Sequence, residues 1–399
     1  MLSETSNYGS FSNQSSNSLE EFNSDYEEYD YRALIRKIFY LFTILFVFSV
    51  TILTYVGYTF STELIQLYIE FPQLETLREI NNYDEGRLIF IGDVHGESKS
   101  LISLTEKINN QFSITHNDKF ILLGDFTTKG SHSDKVLNWM QNHESQVECV
   151  YGNHEITNIF YYLNQHKDIL DSFNKYIQLT QRYFRKHGLE MPSKQKERIL
   201  ALEKYGYIPL DFADNDSGFI PDTNSIKKAQ RSVIDQLGDK GMKYIASKCS
   251  TVLHFPTLNL VSVHAGLLPT DLKTILQHKE KKDSISKLVI KSLISMKWVD
   301  IDDYKKTSKI KFDNAVEWFK LWKLENLKSL IREKPLRNII KNYKVIYGHN
   351  ARTGLNLNKR TKGLDTGCTA GGELSALVLT VKNSQIVDET LVSISCNNG

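Results

Sequence analysis

The chain has 399 residues, of which 24% are charged and 41% hydrophobic, with a formal net charge of +2. That length holds one large domain or two ordinary ones, and the balance is that of a globular protein. Four cysteines (Cys149, Cys249, Cys368 and Cys396) show no C-x-x-C spacing, which argues against a cysteine metal site.

The charge is unevenly placed. Residues 1–37 carry seven acids against Arg32, Arg36 and Lys37, leaving 46 bases and 40 acids in the remainder. The large part is basic, which suits an anionic substrate, although a solvated lysine-rich surface has the same balance. The leader is Ser/Asn-rich and acidic, and is expected to form a disordered cytoplasmic tail over 1–37. From Ile38 to Phe60 no charged residue occurs, long enough for a transmembrane helix at 38–60. Arg32, Arg36 and Lys37 precede it, while Glu63, Glu70 and Glu75 follow before the first base, Arg78. By the positive-inside rule the N-terminus is cytoplasmic and the rest lies across the membrane, a single-pass type II signal-anchor. Residues 61–86 read as a stalk. The sequon Asn215-Asp216-Ser217 would then face a compartment that permits glycosylation.

Beyond the stalk, apolar runs alternate with helical stretches. "LIFIGD" is a strand, "SKSLISLTEKINNQF" a helix, "KFILLGD" a strand, "SDKVLNWMQNH" a helix and "VECVYGNHE" a strand. This alternation implies βαβ crossovers and a layered α/β sheet, whose strand ends bind ligands. Residues 156–250 and 270–340 read as helical insertions. "STVLHFPTLNLVSVHAGL", "YKVIYGHNARTG" and the C-terminal segment return to strand.

Five clusters fall at predicted strand ends: Gly92-Asp93-Val94-His95-Gly96, Gly124-Asp125 to Gly130, Gly152-Asn153-His154-Glu155, His264 and His349. Asp, His and Asn offer hard oxygen and borderline nitrogen donors, suited to Zn, Mn or Fe. Their number fits two metals sharing one carboxylate. A lone Gly-Asp turn or strand-end His is ordinarily structural, so the weight rests on the conjunction.

GDVHG, GDFTTKG and GNHE resemble the signatures of the calcineurin-like metallophosphoesterases, in the branch holding phosphoprotein phosphatases and diadenosine-tetraphosphatase-like enzymes. GDFTTKG, "YGHNARTGLNL" and "TKGLDTGCTAGGELSALVL" look most like the fungal vacuolar endopolyphosphatases. The resemblance implies an α/β fold, a four-layer α-β-β-α sandwich over 87–399. It implies two divalent metals, zinc foremost with Mn, Co, Fe or Mg compatible. Asp93 and His95 match ligands of the first metal, Asp125 the bridge, and Asn153, His264 and His349 ligands of the second. His154 matches the general acid. The implied reaction is hydrolysis of internal phosphoanhydride bonds of inorganic polyphosphate by a metal-bridging hydroxide, in the vacuolar lumen, with no nucleic-acid partner. Lys129 and Arg352 are candidates for gripping substrate phosphates, the latter balanced by a solvated-loop reading.

Two departures weaken a phosphoprotein reading. Protein phosphatases carry Asp-Arg-Gly where this chain has Thr128-Lys129-Gly130, and an Arg where it has Tyr151. Lys is a point charge where Arg is a bidentate fork, and Thr128 cannot orient His154 as the Asp would. Lys279, Lys281 and Lys282 would suit a polyphosphate path, but a solvated helix face is the simpler role. Trp298, Trp318 and Trp322 read as packing, with a lid as the rival. At Cys368 and Cys396 a disulfide and two buried thiols both fit. A lumenal phosphoprotein or nucleotide phosphatase, and an inactive metal-stabilised interaction domain, are the rival functions.

Overall fold

Every residue from Leu88 to Ile91 in strand β2 (Gly86–Ile91) is fully buried, which a strand achieves only when both its faces are covered. Because successive side chains point to opposite faces, Leu88 and Phe90 enter one apolar cluster while Ile89 and Ile91 enter another. The first cluster is built almost wholly from strand residues, including Ile121, Val150, Leu253, Phe255, Ile346, Leu377 and Leu379. The second adds the apolar faces of helices, among them Leu101, Leu104, Met140, Ile159, Met242, Leu272 and Ile339. One core thus lies between sheet and sheet, the other between sheet and helices.

The computed structural model describes residues 31–70, 74–164, 182, 184–186, 188–190, 228–277, 292–304, 306–323 and 334–396. The leader through Asp30, the sequon at Asn215, and Lys279, Lys281 and Lys282 lie outside them. Contacts divide the chain into residues 1–61 and 62–399. Helix α1 (Tyr31–Glu70) is apolar and exposed through Thr59, long enough and apolar enough to cross a membrane. The hydroxyls of Thr43, Thr51, Thr54 and Thr59 bond back to carbonyls of the preceding turn, satisfying them within the helix.

In the second unit, β2, β3 (Lys119–Leu122), β4 (Val147–Val150) and β5 (Cys249–Phe255) pair in parallel. Helices α2 (Ser98–Phe112) and α3 (Ser133–Asn142) form the crossovers, and α4 (Asn153–Asn164) and α5 (Lys228–Lys248) link β4 to β5. Strand β5 pairs with β4 at its start and antiparallel with β6 (Leu260–Ser262) at its end, where the sheet curls over. The sheet then continues through β10 (Lys344–Tyr347), β12 (Thr361–Gly363) and β11 (Asn356–Leu357). On its other side β2 carries the hairpin β13 (Glu373–Lys382) and β14 (Gln385–Ser395). Helices α6 (Pro269–Gln277) and α7 (Lys334–Asn342) complete the helical cover. The result is a mixed α/β fold around a curled sheet, in line with the expected sandwich.

Two stretches differ from expectation. Part of the 61–86 stalk forms β1 (Glu75–Glu79), which pairs in parallel with β5. Arg78 secures it by bonding Glu75, Glu148 and the carbonyls of Ser247 and Lys248. Within the 270–340 segment, read as helical, β7 (Trp298–Asp300), β8 (Thr307–Ser308) and β9 (Ala315–Glu317) make a separate three-stranded sheet. Long-range packing overrides local propensity there: Trp318 and Trp322 are buried, and Trp322 Nε1–H donates to the Leu267 carbonyl at 2.7 Å. These two tryptophans therefore act as packing. Two disulfides are present, Cys368–Cys396 and, unforeseen in the sequence, Cys149–Cys249 between paired residues of β4 and β5.

Candidate metal centre

The loops after β2 and β3 hold each other. His95 N–H donates to the Asp125 carbonyl at 2.8 Å and Gly96 N–H to that of Phe126 at 2.9 Å. His95, Asp125 and His349 all have left-handed backbones, with φ of 48°, 47° and 67°. Such conformations cost on the order of 1 kcal/mol or more each and cluster at functional sites. Two glycines allow the loops to close. A Cβ at Gly152 would stand 2.2 Å from Asp125 Oδ1, and one at Gly348 would stand 2.2 Å from Asp93 Oδ1.

Asp93, His95, Asp125, Asn153, His154, His264 and His349 come together in one cluster. Donor atoms of His95, Asp125 and His154 lie within 4.8 Å of one another, as do those of Asp125, His264 and His349. Asp125 is common to both groups. His264 Nε2 is 3.4 Å from Asp125 Oδ2, 3.2 Å from Asn153 Oδ1 and 3.1 Å from His349 Nδ1. His95 Nε2 is 3.7 Å from Asp93 Oδ2 and 3.9 Å from Asp125 Oδ2, and His154 Nε2 is 3.9 Å from Asp125 Oδ2.

The rings are aimed from behind. His264 Nδ1–H donates to the Leu123 carbonyl at 2.7 Å, leaving Nε2 to face the cluster, and His95 Nδ1 faces the Thr127 carbonyl at 3.4 Å. Asp93 Oδ1 accepts the His349 N–H at 2.9 Å, whereas its Oδ2 is buried without a hydrogen-bond partner. A buried carboxylate oxygen of this kind calls for a cation, and the donor set fits divalent metals.

Electrostatics agree. Burial, followed by the neighbouring carboxylates of Asp365 and Asp125, pushes the Asp93 carboxyl well above its usual range. Burial works upward on Asp125 too, yet His264, His154 and His95 hold it well below. Burial takes the His95 imidazole down to about 3, against the pull of Asp125. It also depresses His349, reinforced by His264, whereas for His264 the attraction of Asp125 outweighs burial and raises it.

Glu155, within a quoted motif but given no role from sequence, braces the site. It is fully buried, and Oε2 accepts the N–H groups of Asp125 at 2.7 Å and Gly152 at 3.0 Å. Oε1 accepts both the N–H and the hydroxyl of Thr127. Thr128 Oγ1 accepts from Asn158 Nδ2 at 3.0 Å. Tyr151 points into the core, donating to the Ala246 carbonyl at 2.7 Å.

Lys129 reaches the cluster, its Nζ donating to His95 Nε2 at 2.7 Å. Arg352 does not: it is exposed on the turn following His349. Among the described residues, Asp365 and Lys297 also act on the ligands through their charge. Asp365 lies in the quoted "LDTG" stretch, but Lys297 carries no motif that sequence reading could have used.

The profile of the calcineurin-like phosphoesterases matches residues 86–250. A Saccharomyces cerevisiae protein named zinc-dependent endopolyphosphatase is 31% identical over 337 residues, 82% of this chain and 86% of its own. A Wigglesworthia glossinidia brevipalpis protein named symmetrical bis(5'-nucleosyl)-tetraphosphatase is 28% identical, covering 72% of this chain and 93% of its own. Among solved structures, a protein serine/threonine phosphatase from S. cerevisiae is 13% identical with a TM-score of 0.40, covering 86% of this chain and 89% of its own.

Proposed function

This chain belongs to the calcineurin-like phosphoesterase family and is a metal-dependent hydrolase of phosphate esters or anhydrides, and on that premise we propose that it cuts inorganic polyphosphate at internal bonds. The observation that carries the reading is the placement of Asp125 between two donor groups, with Asp93 and Asn153 beside it. The substrate rests on the yeast relative and on Lys129, a cation beside the ligands.

In this reading Asp93, His95 and Asp125 would hold one divalent cation, zinc foremost, and Asp125, Asn153, His264 and His349 would hold the other. When bound, such cations activate water and offset the charge of phosphate oxygens. The chain's own groups do the rest. The Leu123 and Thr127 carbonyls keep His264 and His95 turned toward the cluster. Glu155 holds the loop that presents Asp125. His154, whose N–H donates to Asp125 Oδ1 at 2.9 Å, protonates the departing phosphate oxygen, a contribution of typically ~10²–10⁴ in rate. Lys129 grips the substrate phosphate, and Arg352 meets outer units from its exposed turn.

The same reading makes α1 a type II anchor, with residues 1–37 cytoplasmic and the catalytic domain from 87 onward in a vacuolar lumen. The two disulfides support an oxidising compartment.

The test uses full-length protein in detergent, with Asp125→Asn as control. It is offered long-chain polyphosphate, diadenosine tetraphosphate and p-nitrophenyl phosphate with Zn²⁺, Mn²⁺, Co²⁺ or Mg²⁺. The expected result is shortening of the whole polyphosphate population, absent in the variant. Intact polyphosphate beside cleavage of the dinucleotide or ester would move the substrate to that class. No cleavage of any of them would leave a metal-stabilised interaction domain.

A further inference from the structure

Lys297 stands just before β7, and its backbone is fixed on both sides. Its N–H donates to the Ser308 carbonyl at 3.0 Å, and its carbonyl accepts the Trp318 N–H at 3.3 Å. The Trp318 ring packs edge-on against Tyr347, 4.8 Å between centroids. It also covers Gly266, where a Cβ would stand 3.0 Å from the indole nitrogen. Gly266 follows His264 by two residues and Tyr347 precedes His349 by two. Ala265 N–H, next to His264, donates to the Leu293 carbonyl at 2.7 Å. The small sheet is thereby set against the two strand ends that deliver His264 and His349, and it carries Lys297 to the cluster.

The charge of Lys297 acts on Asp365, Asp93 and Asp125, and on Lys129. The residue is half-buried. With its backbone fixed on both sides, the lysine is held in a partly dehydrated position beside the metal-ligand cluster. Such an arrangement is costly to a protein unless an anion completes it. Divalent cations on Asp93 and Asp125 would neutralise the nearest negative groups, so the balancing anion must come with the substrate. A phosphate under attack would lie beside the ligand cluster, and an adjoining unit of a phosphate chain would supply further negative charge next to it.

We propose that Lys297 binds the phosphate unit next to the one under attack, so that Lys129 and Lys297 grip the chain together. This rests on the polyphosphate reading above and assigns a source for preference of phosphoanhydrides over monoesters. The bland rival is that Lys297 only balances Asp365.

The test is calorimetric and needs no turnover. Full-length zinc-loaded protein in detergent, as wild type, Lys297→Met, Lys297→Gln and Lys297→Arg, is titrated with imidodiphosphate and, separately, with orthophosphate. Bound zinc is measured by mass spectrometry and stability by thermal unfolding. The expected result is that both neutral variants weaken imidodiphosphate at least tenfold more than orthophosphate, with zinc content retained and Lys297→Arg recovering part of the loss. Equal weakening of both anions, no weakening, or loss of zinc with a lowered melting temperature would overturn the proposal in favour of the counter-ion role. Wild-type cleavage of polyphosphate is scored separately on a gel. Its failure removes the polyphosphate reading, while the two anions still decide whether Lys297 binds a second phosphate.

Discussion

Asp93, His95, Asp125 and Asn153 come from three successive strand ends, whereas His264 enters 111 residues after Asn153 and His349 a further 85 residues on. The first group is locally self-supporting. Its loops exchange main-chain hydrogen bonds, and Glu155 ties Asp125, Thr127 and Gly152 into one network. The second group leans on the first. Strand pairing of β6 with β10 brings His264 and His349 side by side. Yet His264 is aimed by the Leu123 carbonyl at the end of β3, and His349 by its N–H bond to Asp93. The early half of the cluster is thus a product of neighbouring βαβ units, and the late half exists only once the sheet has curled shut. Loop-closure entropy places the cost of that closure on the late half.

Asp125→Asn should produce the largest effect, because Asp125 belongs to both groups. A fall in kcat/KM of at least ~10³-fold is expected, about 4 kcal/mol of transition-state stabilisation. Zinc content measured by mass spectrometry should fall alongside it. Retention of full zinc with less than a tenfold loss would mean that the halves do not share this carboxylate.

The disulfides come next. Cys149–Cys249 joins β4, which leads to Asn153, to β5, which leads toward His264, and closes a separation of 100 residues. Cys368–Cys396 closes 28. Replacing either pair by serine should cost ~2–4 kcal/mol in denaturant unfolding, with the longer loop dearer by about 1 kcal/mol. Only loss of Cys149–Cys249 should also weaken zinc binding. Equal zinc affinity in the two double variants would show that this joint does not position the ligands.

Glu155→Gln should act more narrowly. It keeps the volume but presents a donor amide to N–H groups that now meet an acceptor. Loss of such a supporting partner typically costs ~10–100-fold in metal affinity. Chelator competition should find the weaker loss at the site built on His264 and His349. A uniform loss at both sites would erase the distinction drawn between the halves.

Much of this was legible in the chain. Leu88 to Ile91 ending in Gly-Asp announced a buried strand with a polar loop, and the helical spacing of "SLISLTEKI" announced the crossover. All seven residues expected at the centre lie in one cluster, because Gly-Asp and Gly-His at strand ends are local features of the chain. Lys129 reaches the cluster, and Arg352 stays on an exposed turn. What the chain does not spell out depends on partners distant in sequence. Glu75–Glu79 shows no apolar alternation and so reads as stalk, whereas its place as β1 is set by Arg78 and by pairing with β5. The segment 298–317 reads as helical in the sequence, and its strands are set by their mutual pairing, with Trp318 packed against Tyr347 just beyond them.

By itself the sequence determined the donor types, the glycine-bordered loops that present them and the apolar run of α1. These follow from side-chain chemistry, backbone freedom at glycine and the length of an uncharged helix. Only the tertiary structure decided which strand ends meet, that Cys149 faces Cys249, that Glu155 is the brace and that Lys297 joins the cluster. Each of those depends on pairing across a curled sheet. A local pattern cannot encode such contacts, because the two sides are brought together by burying a common core.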